Sequence, residues 1–451
     1  MADSHATHPL STSHADLITY LAFSSSSPSL LASTSLDGWI RIHARTASTS
    51  RNSSHGKSKA SNGDSTMNTD GEENGADGDG NGDEPADEWA EIGSCKANEG
   101  PVWRAIWGPR EYGTSVLVSI AGSVVNVWGS ITETRLHNGG EAKLELLPRA
   151  TLVEARGSLR DVAFAPSEFG MKLAAIAADS HLRIYECLDP SSSGLASWSL
   201  LEDIDLLPLP NAYYSPSSQG SHIHASHHSQ QTQLIKGFDD ATQGSSGGRS
   251  SLGPSGGSSV SLGAQSTSST GSASKNIGRI ESSGAWAVSY CQEAWWGECV
   301  AVSAGSQGLI RIIHFSPPSY WSQVAVLQPP QNSSISPIST IAWAPSSGRS
   351  YHLIASGSRD GIVRIWKVVP SNEASGQWEA TLAAQIEDHV DGSSGGVGKV
   401  EWNVTGTVLS TAGCDGVVRL WKASYSGEWR VLSAISCEGD SDQNASTSSR
   451  R

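Results

Sequence analysis

The chain has 451 residues, of which 37% are hydrophobic and 17% are charged, and its formal net charge is −15. Eleven acidic residues and no lysine or arginine lie between Asp64 and Glu91, so the rest of the sequence is close to neutral. Because the sequence has no basic stripe, we exclude direct nucleic-acid binding by counterion release.

The six cysteines lie far apart with no C-x-x-C pair, so the sequence indicates neither a zinc site nor a disulfide framework. No uncharged apolar run reaches the length of a membrane-spanning helix, and the first residues lack a basic start followed by an apolar core. We expect a protein of the cytosol or nucleus that associates with membranes only through partners.

A unit of three strands recurs along the chain: an apolar strand, a small-residue strand that ends in a turn, and an aliphatic strand that ends in an aromatic residue. The first copy covers residues 17–43 and is followed at about 47–85 by a Ser-rich, then acidic, stretch. The second and third copies cover residues 101–128 and 158–185. A stretch rich in Ser, Gly, Gln and His follows at about 210–274.

The fourth copy, at residues 285–315, is the most divergent, and the fifth, at residues 338–366, is the clearest. The sixth copy covers residues 398–421. After most copies a tryptophan introduces a fourth, outer strand, at Trp89, Trp198, Trp321, Trp378 and Trp429. Four strands per unit are typical of the blade of a β-propeller.

The composition of the strands and turns supports this interpretation. Inner strands of a blade are covered on both faces by neighbouring blades, which accounts for their nearly continuous Val, Ile, Leu and Ala. Asp-Gly pairs join the second and third strands of three copies, at Asp37-Gly38, Asp360-Gly361 and Asp415-Gly416. Glycine supplies the positive φ that such a tight hairpin requires.

The long polar stretches cannot build a core, so we predict that 47–85, 210–274 and the tail 437–451 are disordered. Without them, the repeats have the length of propeller blades and leave no room for a second domain. We therefore predict one all-β domain over residues 14–436, a β-propeller with six blades formed by this chain.

Three segments carry a resemblance to a known family: residues 149–186, 344–366 and 401–430. They closely resemble the Seh-type (Sec-thirteen-homologue) WD-repeat nucleoporins, the sister family of the secretory Sec-thirteen propellers. The WNVTGTVL and DGVVRLWKASY sequences of the last copy are specific to this family, whereas a single DG followed by RIW is shared by any WD protein.

The resemblance implies a six-bladed, incompletely closed WD-repeat β-propeller and a helical-solenoid partner nucleoporin that donates strands for a seventh blade. It implies a structural scaffold in the Y-shaped outer-ring complex of the nuclear pore, beside the other subunits of that complex, with roles in pore assembly and nucleocytoplasmic transport. A second role is also implied, at the vacuolar or lysosomal membrane, in a complex that regulates TOR signalling.

A ring that lacks its last blade leaves strand edges unpaired, and such edges invite pairing with another chain. We expect the gap between the first and sixth blades. The predicted partner-binding residues lie on the edge strands there: Leu17, Tyr20, Trp39, Val408, Leu420 and Trp421. The sequence departs from the family in its long inserts and in the Gly-rich stretch at 397–399, where the family has an aromatic residue.

Arginine recurs two residues before the aromatic end of the third strand. A ring of exposed arginines would bind phosphopeptides. The structural interpretation, which we favour, packs each arginine stem on the blade and leaves its head group in water. The arginines are Arg41, Arg183, Arg311, Arg364 and Arg419, with Asn126 in the second copy.

Two other sets of polar residues resemble functional sites. Four aspartates lie in the turns after the second strands, where Asp is a turn former rather than a catalytic carboxylate: Asp37, Asp179, Asp360 and Asp415. Four histidines lie in a Ser/Gly tract that offers no second shell to orient metal ligands, so we predict no metal site: His222, His224, His227 and His228.

Common catalytic sequences such as G-x-S-x-G, the Walker loop and H-E-x-x-H do not occur, so we predict a protein that is not an enzyme and that needs no cofactor. Two alternatives to the nucleoporin scaffold remain. One is a vesicle-coat propeller of the Sec-thirteen type. The other is a propeller substrate receptor of a ubiquitin ligase, which would use Arg364 and Arg419 to bind phosphorylated substrates.

Overall fold

Six four-stranded antiparallel sheets, each in simple chain order, make up the computed structural model of the chain. It describes residue 10 and residues 13–46, 88–112, 116–133, 143–190, 195–211, 284–316, 320–330, 333–371, 376–388 and 395–436. In these ranges no helix is long and apolar enough to cross a membrane. The predicted insert at 47–85, the tail 437–451 and the four clustered histidines lie outside the described residues.

The first three blades contain strands β1 to β12. Blade 1 has β1 (Ile18–Phe23), β2 (Leu30–Ser35), β3 (Trp39–Thr46) and β4 (Glu88–Lys96). Blade 2 has β5 (Arg104–Trp107), β6 (Val116–Ala121), β7 (Val124–Glu133) and β8 (Lys143–Leu152). Blade 3 has β9 (Leu159–Phe164), β10 (Lys172–Ala177), β11 (His181–Cys187) and β12 (Trp198–Asp205).

The last three blades contain strands β13 to β24. Blade 4 has β13 (Ala285–Tyr290), β14 (Glu298–Gly305), β15 (Ile310–Ser316) and β16 (Tyr320–Leu327). Blade 5 has β17 (Ile338–Trp343), β18 (His352–Ser358), β19 (Ile362–Val369) and β20 (Glu379–Glu387). Blade 6 has β21 (Val397–Trp402), β22 (Val408–Gly413), β23 (Val417–Ala423) and β24 (Trp429–Ser436). The predicted six-bladed, all-β propeller is confirmed.

One strand was not identified from the sequence. The outer strand of blade 2, β8, has no tryptophan and contains Pro148, which lies opposite Trp128 at an irregularity of the β7–β8 ladder. Proline is tolerated there because the outermost strand of a sheet has a free edge that needs no amide donor.

Apolar cores join successive blades face to face. Five such cores are found among the described residues, and they join blades 1 and 2, 2 and 3, 3 and 4, 4 and 5, and 5 and 6. No core in the described part of the chain joins blade 6 to blade 1. The six blades therefore form a ring with one open interface.

The turns between second and third strands form as predicted. Gly38, Gly361 and Gly416 have φ values of +82°, +79° and +74°. The carboxylate that precedes each of them accepts a hydrogen bond from the backbone N–H two residues further on, and Asp179 does the same in blade 3. The four aspartates are turn formers, as the sequence indicated.

The arginines of the third strands differ from the prediction. We expected solvated head groups, but four of these residues are at most 6% exposed: Arg183, Arg311, Arg364 and Arg419. Three of the head groups pair with the turn aspartate four residues earlier, as Arg419 does with Asp415 at 2.5 Å. A buried guanidinium requires such partners, so these arginines fasten the turns rather than face water.

The predicted boundary of the second insert also changes. Pro210 O accepts a hydrogen bond from Gln323 Nε2 at 2.9 Å, and Asn211 Oδ1 accepts one from Arg311 at 2.8 Å. These two residues pack on blade 4, whereas residues 212–274 of the predicted insert lie outside the described part of the chain.

Candidate partner-binding seam

The open interface between blades 6 and 1, which we call the seam, has one blade face on each side. In an antiparallel ladder, directly paired residues project from the same face. Leu21 pairs with Ser33 and Phe23 with Leu31 on blade 1. On blade 6, Ser410 pairs with both Glu401 and Leu420. The faces that carry these residues border the seam, because the opposite faces enter the cores with blades 2 and 5.

The blade 1 side of the seam exposes apolar side chains of an inner strand. Leu21 is 49% exposed and Phe23 is 62% exposed. At the register position of Leu21, the inner strands of blades 3, 5 and 6 have Val162, Ile341 and Val400, which are 0%, 6% and 0% exposed. Those residues are covered by the preceding blade, whereas among the described residues no apolar core joins blade 1 to blade 6.

The blade 6 side of the seam is more mixed in character. Val408 and Leu420 are half-buried and lie on the seam face, next to Lys399 and Glu401. The Lys399 ammonium lies 3.3 Å from the Glu401 carboxylate. Two of the predicted partner-binding residues, Val408 and Leu420, are therefore placed where a partner in the seam would meet them.

Trp421 lies on the other face of blade 6. It is 7% exposed within the core shared with blade 5, and its Nε1 donates a hydrogen bond of 2.9 Å to Thr411 Oγ1. Neighbouring residues of a strand project to opposite faces. For this reason Leu420 borders the seam and Trp421 does not.

The predicted residues of blade 1 occupy three different environments. Leu17 directly precedes β1 and is 72% exposed. Trp39 is half-buried, with the guanidinium of Arg41 at 5.4 Å from its ring centroid. Tyr20 projects from the face opposite Leu21 and contacts charged side chains of blades 2 and 6. The structure thus separates Tyr20 from the exposed apolar side chains of Leu21 and Phe23.

Side chains of the inner strands link successive blades around the ring. Asp161 Oδ2 accepts a hydrogen bond from Val288 N at 2.9 Å, from blade 3 to blade 4. Ser289 Oγ accepts one from Trp343 N at 3.0 Å, from blade 4 to blade 5. Thr340 Oγ1 lies 3.4 Å from Val400 N, between blades 5 and 6.

A network of polar side chains lies on the seam face of blade 1. His14 Nδ1 lies 3.1 Å from Asp37 Oδ2, and His14 Nε2 lies 2.9 Å from Ser33 Oγ, which also contacts His43 Nε2 at 3.0 Å. Burial alone would raise the pKa of Asp37, but hydrogen bonds from Trp39 N, Ala15 N and His14 lower it to about 2. Burial lowers the pKa of His43.

The order Asp37–His14–Ser33 is that of a hydrolase triad, but the environment of the serine is structural. Ser33 is fully buried and bonded to two imidazoles, so no substrate carbonyl reaches its Oγ. Blade 6 has a matching network, in which Thr411 Oγ1 bonds both Asp388 and Trp421. In each blade the hydroxyl of the second strand thus joins the third strand to a segment that precedes the blade. The sequence analysis missed this arrangement, because residues 14, 33 and 37 meet only after the blade folds.

Comparison with known proteins finds a matching repeat family and several similar proteins. A family model described as "WD domain, G-beta repeat" matches residues 7–43, 321–367 and 382–422. Nucleoporin SEH1 of Saccharomyces cerevisiae is 26% identical over 390 residues, covering 79% of this chain and 89% of that protein. Nucleoporin SEH1 of Bos taurus is 27% identical over 365 residues, covering 78% of this chain and 77% of that protein.

The solved structure of Saccharomyces cerevisiae Sqt1 is similar at a TM-score of 0.47 and 11% identity, over 94% of this chain and 76% of that one.

The six four-stranded blades and the matched repeats define the chain as a WD-repeat β-propeller. Within this class, the resemblance found in the sequence is confirmed: the chain is similar to proteins named Nucleoporin SEH1.

Proposed function

We propose that this chain is a structural scaffold subunit of the nuclear pore outer-ring complex, and that a helical-solenoid nucleoporin fills its seam with a donated seventh blade. The observation that carries the proposal is the 49% exposure of Leu21, at a register position that is at most 6% exposed in blades 3, 5 and 6. The similarity to relatives named Nucleoporin SEH1 supports the proposal that the scaffold acts in the nuclear pore.

The physical basis of docking differs from the one expected from sequence. Each sheet has its first and fourth strands at its edges, so the unpaired edge of an inner strand is common to all six blades. What distinguishes blades 1 and 6 is an uncovered face. We therefore infer that the partner packs a small sheet between the two faces, as successive blades pack on each other, rather than only extending one sheet by a strand.

The apolar side chains of the seam define the contact. Leu21 and Phe23 supply it on blade 1, and Val408 and Leu420 supply it on blade 6. Burying a side chain of this size contributes about 1.5 to 3 kcal/mol relative to leaving it in water. Of the residues predicted from sequence, Trp421 is left out of the proposed contact because it is buried against blade 5.

Co-expression with the solenoid nucleoporin of the same organism tests the proposal. We expect the chain to be poorly soluble alone and to be recovered as a heterodimer with this partner. The double variant L21E/F23E is expected to lose the heterodimer, because two carboxylates would be buried in an apolar interface. L201E, at a 44% exposed leucine on the outer strand of blade 3, is the matched control and retains it.

A stable closed monomer, or an L21E/F23E heterodimer as tight as the L201E one, would contradict the docking model. The seam would then be an intrinsic feature of the ring that no partner fills.

The proposal also includes where in the cell the protein acts. Localisation at the nuclear pore, and a second role at the vacuolar or lysosomal surface in the complex that regulates TOR signalling, rest on the resemblance to the family. Affinity purification of the tagged chain separates these assemblies, because pore, vacuolar and vesicle-coat subunits are different proteins. Recovery of coat subunits alone would favour the Sec-thirteen-type alternative.

The two arginines that the ubiquitin-ligase receptor hypothesis requires are not available to a substrate. Arg364 and Arg419, which were to bind phosphorylated substrates, are 4% and 6% exposed and pair with Asp360 and Asp415. A phosphate group would have to displace these buried ion pairs to reach either guanidinium.

A further inference from the structure

Tyr20 lies between two cations that come from different blades. The guanidinium carbon of Arg104, on β5 of blade 2, is 4.6 Å from the Tyr20 ring centroid. The ammonium of Lys399, on β21 of blade 6, is 5.2 Å from the same centroid and donates a hydrogen bond of 3.0 Å to the phenolic oxygen. Lys399 thus crosses the seam to reach blade 1.

Within the part of the chain that the structure describes, this contact lies where no apolar core joins two successive blades. Blades 5 and 6 share an apolar core and the Thr340–Val400 hydrogen bond, whereas no core joins blades 6 and 1 among the described residues. Blade 6 is therefore packed on one side only. A terminal unit of this kind opens more readily than the units in the middle of the ring.

Arg104 is itself held in place by blade 3. Arg104 also pairs with Asp161 of blade 3, and Asp161 accepts the Val288 amide of blade 4. Asp161 is 5% exposed, so this part of the chain of contacts is shielded from water. A connection therefore runs from Lys399 through Tyr20 and Arg104 into the middle of the ring.

We propose that Lys399 and Tyr20 form a latch, in which the positive charge of Lys399 holds blade 6 to blade 1 across the seam. The ring faces of tyrosine attract cations, and a partly shielded pair of this kind is stronger than one in open water. The Lys399 side chain is 32% exposed, so its charge remains open to neutralisation by modification or by a competing anion. The latch belongs to the free chain, because a donated blade packed between blades 6 and 1 would separate Lys399 from Tyr20.

Hydrogen–deuterium exchange of the full chain, measured by mass spectrometry, tests the latch. In K399M, which keeps most of the stem and removes the charge, we expect the amides of β21 to β24 to exchange about five-fold faster than in the unmodified chain. The amides of β13 to β16 in blade 4, which has cores on both sides, are expected to be unchanged. K399R keeps a cation over Tyr20 and is expected to retain the original rates.

Two matched variants identify the cause. K422M removes an exposed lysine of the same blade and leaves exchange unchanged if the latch is specific to Lys399. E401Q removes the other partner of Lys399 and is also expected to leave it unchanged. Equal acceleration in K399M and K422M, or acceleration in E401Q equal to that in K399M, would overturn the proposal. Should K399M fail to fold, Y20F, which keeps the ring but removes the hydroxyl, supplies the same comparison with a smaller acceleration.

Discussion

His352 stacks on Trp378 with ring centroids 5.6 Å apart and ring planes inclined by 15°. Trp343 and Trp296 meet the same imidazole edge-on, each at 5.1 Å, and Trp343 Nε1 lies 3.3 Å from His352 Nδ1. The imidazole is fully buried at the start of β18, among aromatic residues of blades 4 and 5. Burial lowers the pKa of His352 to about 4.

This histidine predicts an acid-sensitive contact between blades 4 and 5. The pKa is near 6.5 in the unfolded chain and about 4 in the folded one, so the unfolded state binds the proton first. Stability is complete above pH 6.5 and falls as the pH drops toward 4, where the loss from this group is about 3 kcal/mol. Urea unfolding of the unmodified chain and H352Q between pH 4 and 7 measures the difference. Parallel loss of stability in both proteins would contradict the prediction.

Removing Arg419 is expected to destabilise blade 6. The guanidinium pairs with Asp415 at 2.5 Å and with Asp388 at 3.5 Å, and Asp388 is 2% exposed. R419M leaves Asp388 buried without a cation, at a cost of about 3 kcal/mol. Because burial already raises the pKa of Asp388, the double variant R419M/D388N should recover part of the loss. Chemical denaturation of the two variants makes the comparison, and equal stabilities would refute this account.

Two turn glycines with similar backbone conformation should differ in their tolerance of alanine. A Cβ on Gly416, at φ +74°, meets nothing within 4 Å, so G416A carries only the strain of the left-handed conformation, about 1 kcal/mol. A Cβ on Gly38, at φ +82°, would lie 2.2 Å from Asn98 O. G38A must also displace this backbone segment and is expected to cost about 3 kcal/mol. Thermal denaturation of both variants tests the order, which a smaller effect for G38A would reverse.

A glutamate at equivalent register positions of blades 1 and 3 should change the free energy of unfolding by very different amounts. L21E places a carboxylate in the open seam and is expected to change the free energy of unfolding by no more than about 0.5 kcal/mol. V162E buries the carboxylate in the core between blades 2 and 3 and should cost at least about 4 kcal/mol. Denaturant titration of the isolated chain measures both. Comparable losses would show that another part of the chain covers Leu21.

The blades themselves follow from local sequence. Strand type depends on alternating or continuous apolar runs, and the hairpins depend on residues such as Gly416, whose conformation needs no distant contact. Six copies of such a unit cannot bury their apolar faces alone, so stacking into a ring follows. Strand β8 could not be predicted from the sequence, because it contains Pro148 and lacks the tryptophan that introduces most of the other outer strands.

Other properties depend on which surfaces meet. From the sequence alone, Leu21 is equivalent to Val162, and only the absence of a preceding blade leaves one exposed and the other buried. Leu420 and Trp421 are neighbours in the chain, yet the register of blade 6 directs one to the seam and the other to blade 5.

By itself, then, the amino-acid sequence determined the number of blades, their turns and the resemblance to the Seh-type nucleoporins, because each of these depends on residues close together in the chain. Only the tertiary structure decided that the third-strand arginines are buried, that the seam opens a face, and that Lys399 reaches Tyr20. Lys399 and Tyr20 are far apart in sequence. The arginines lie only four residues from their turn aspartates, but their burial depends on how the blades are arranged around the ring.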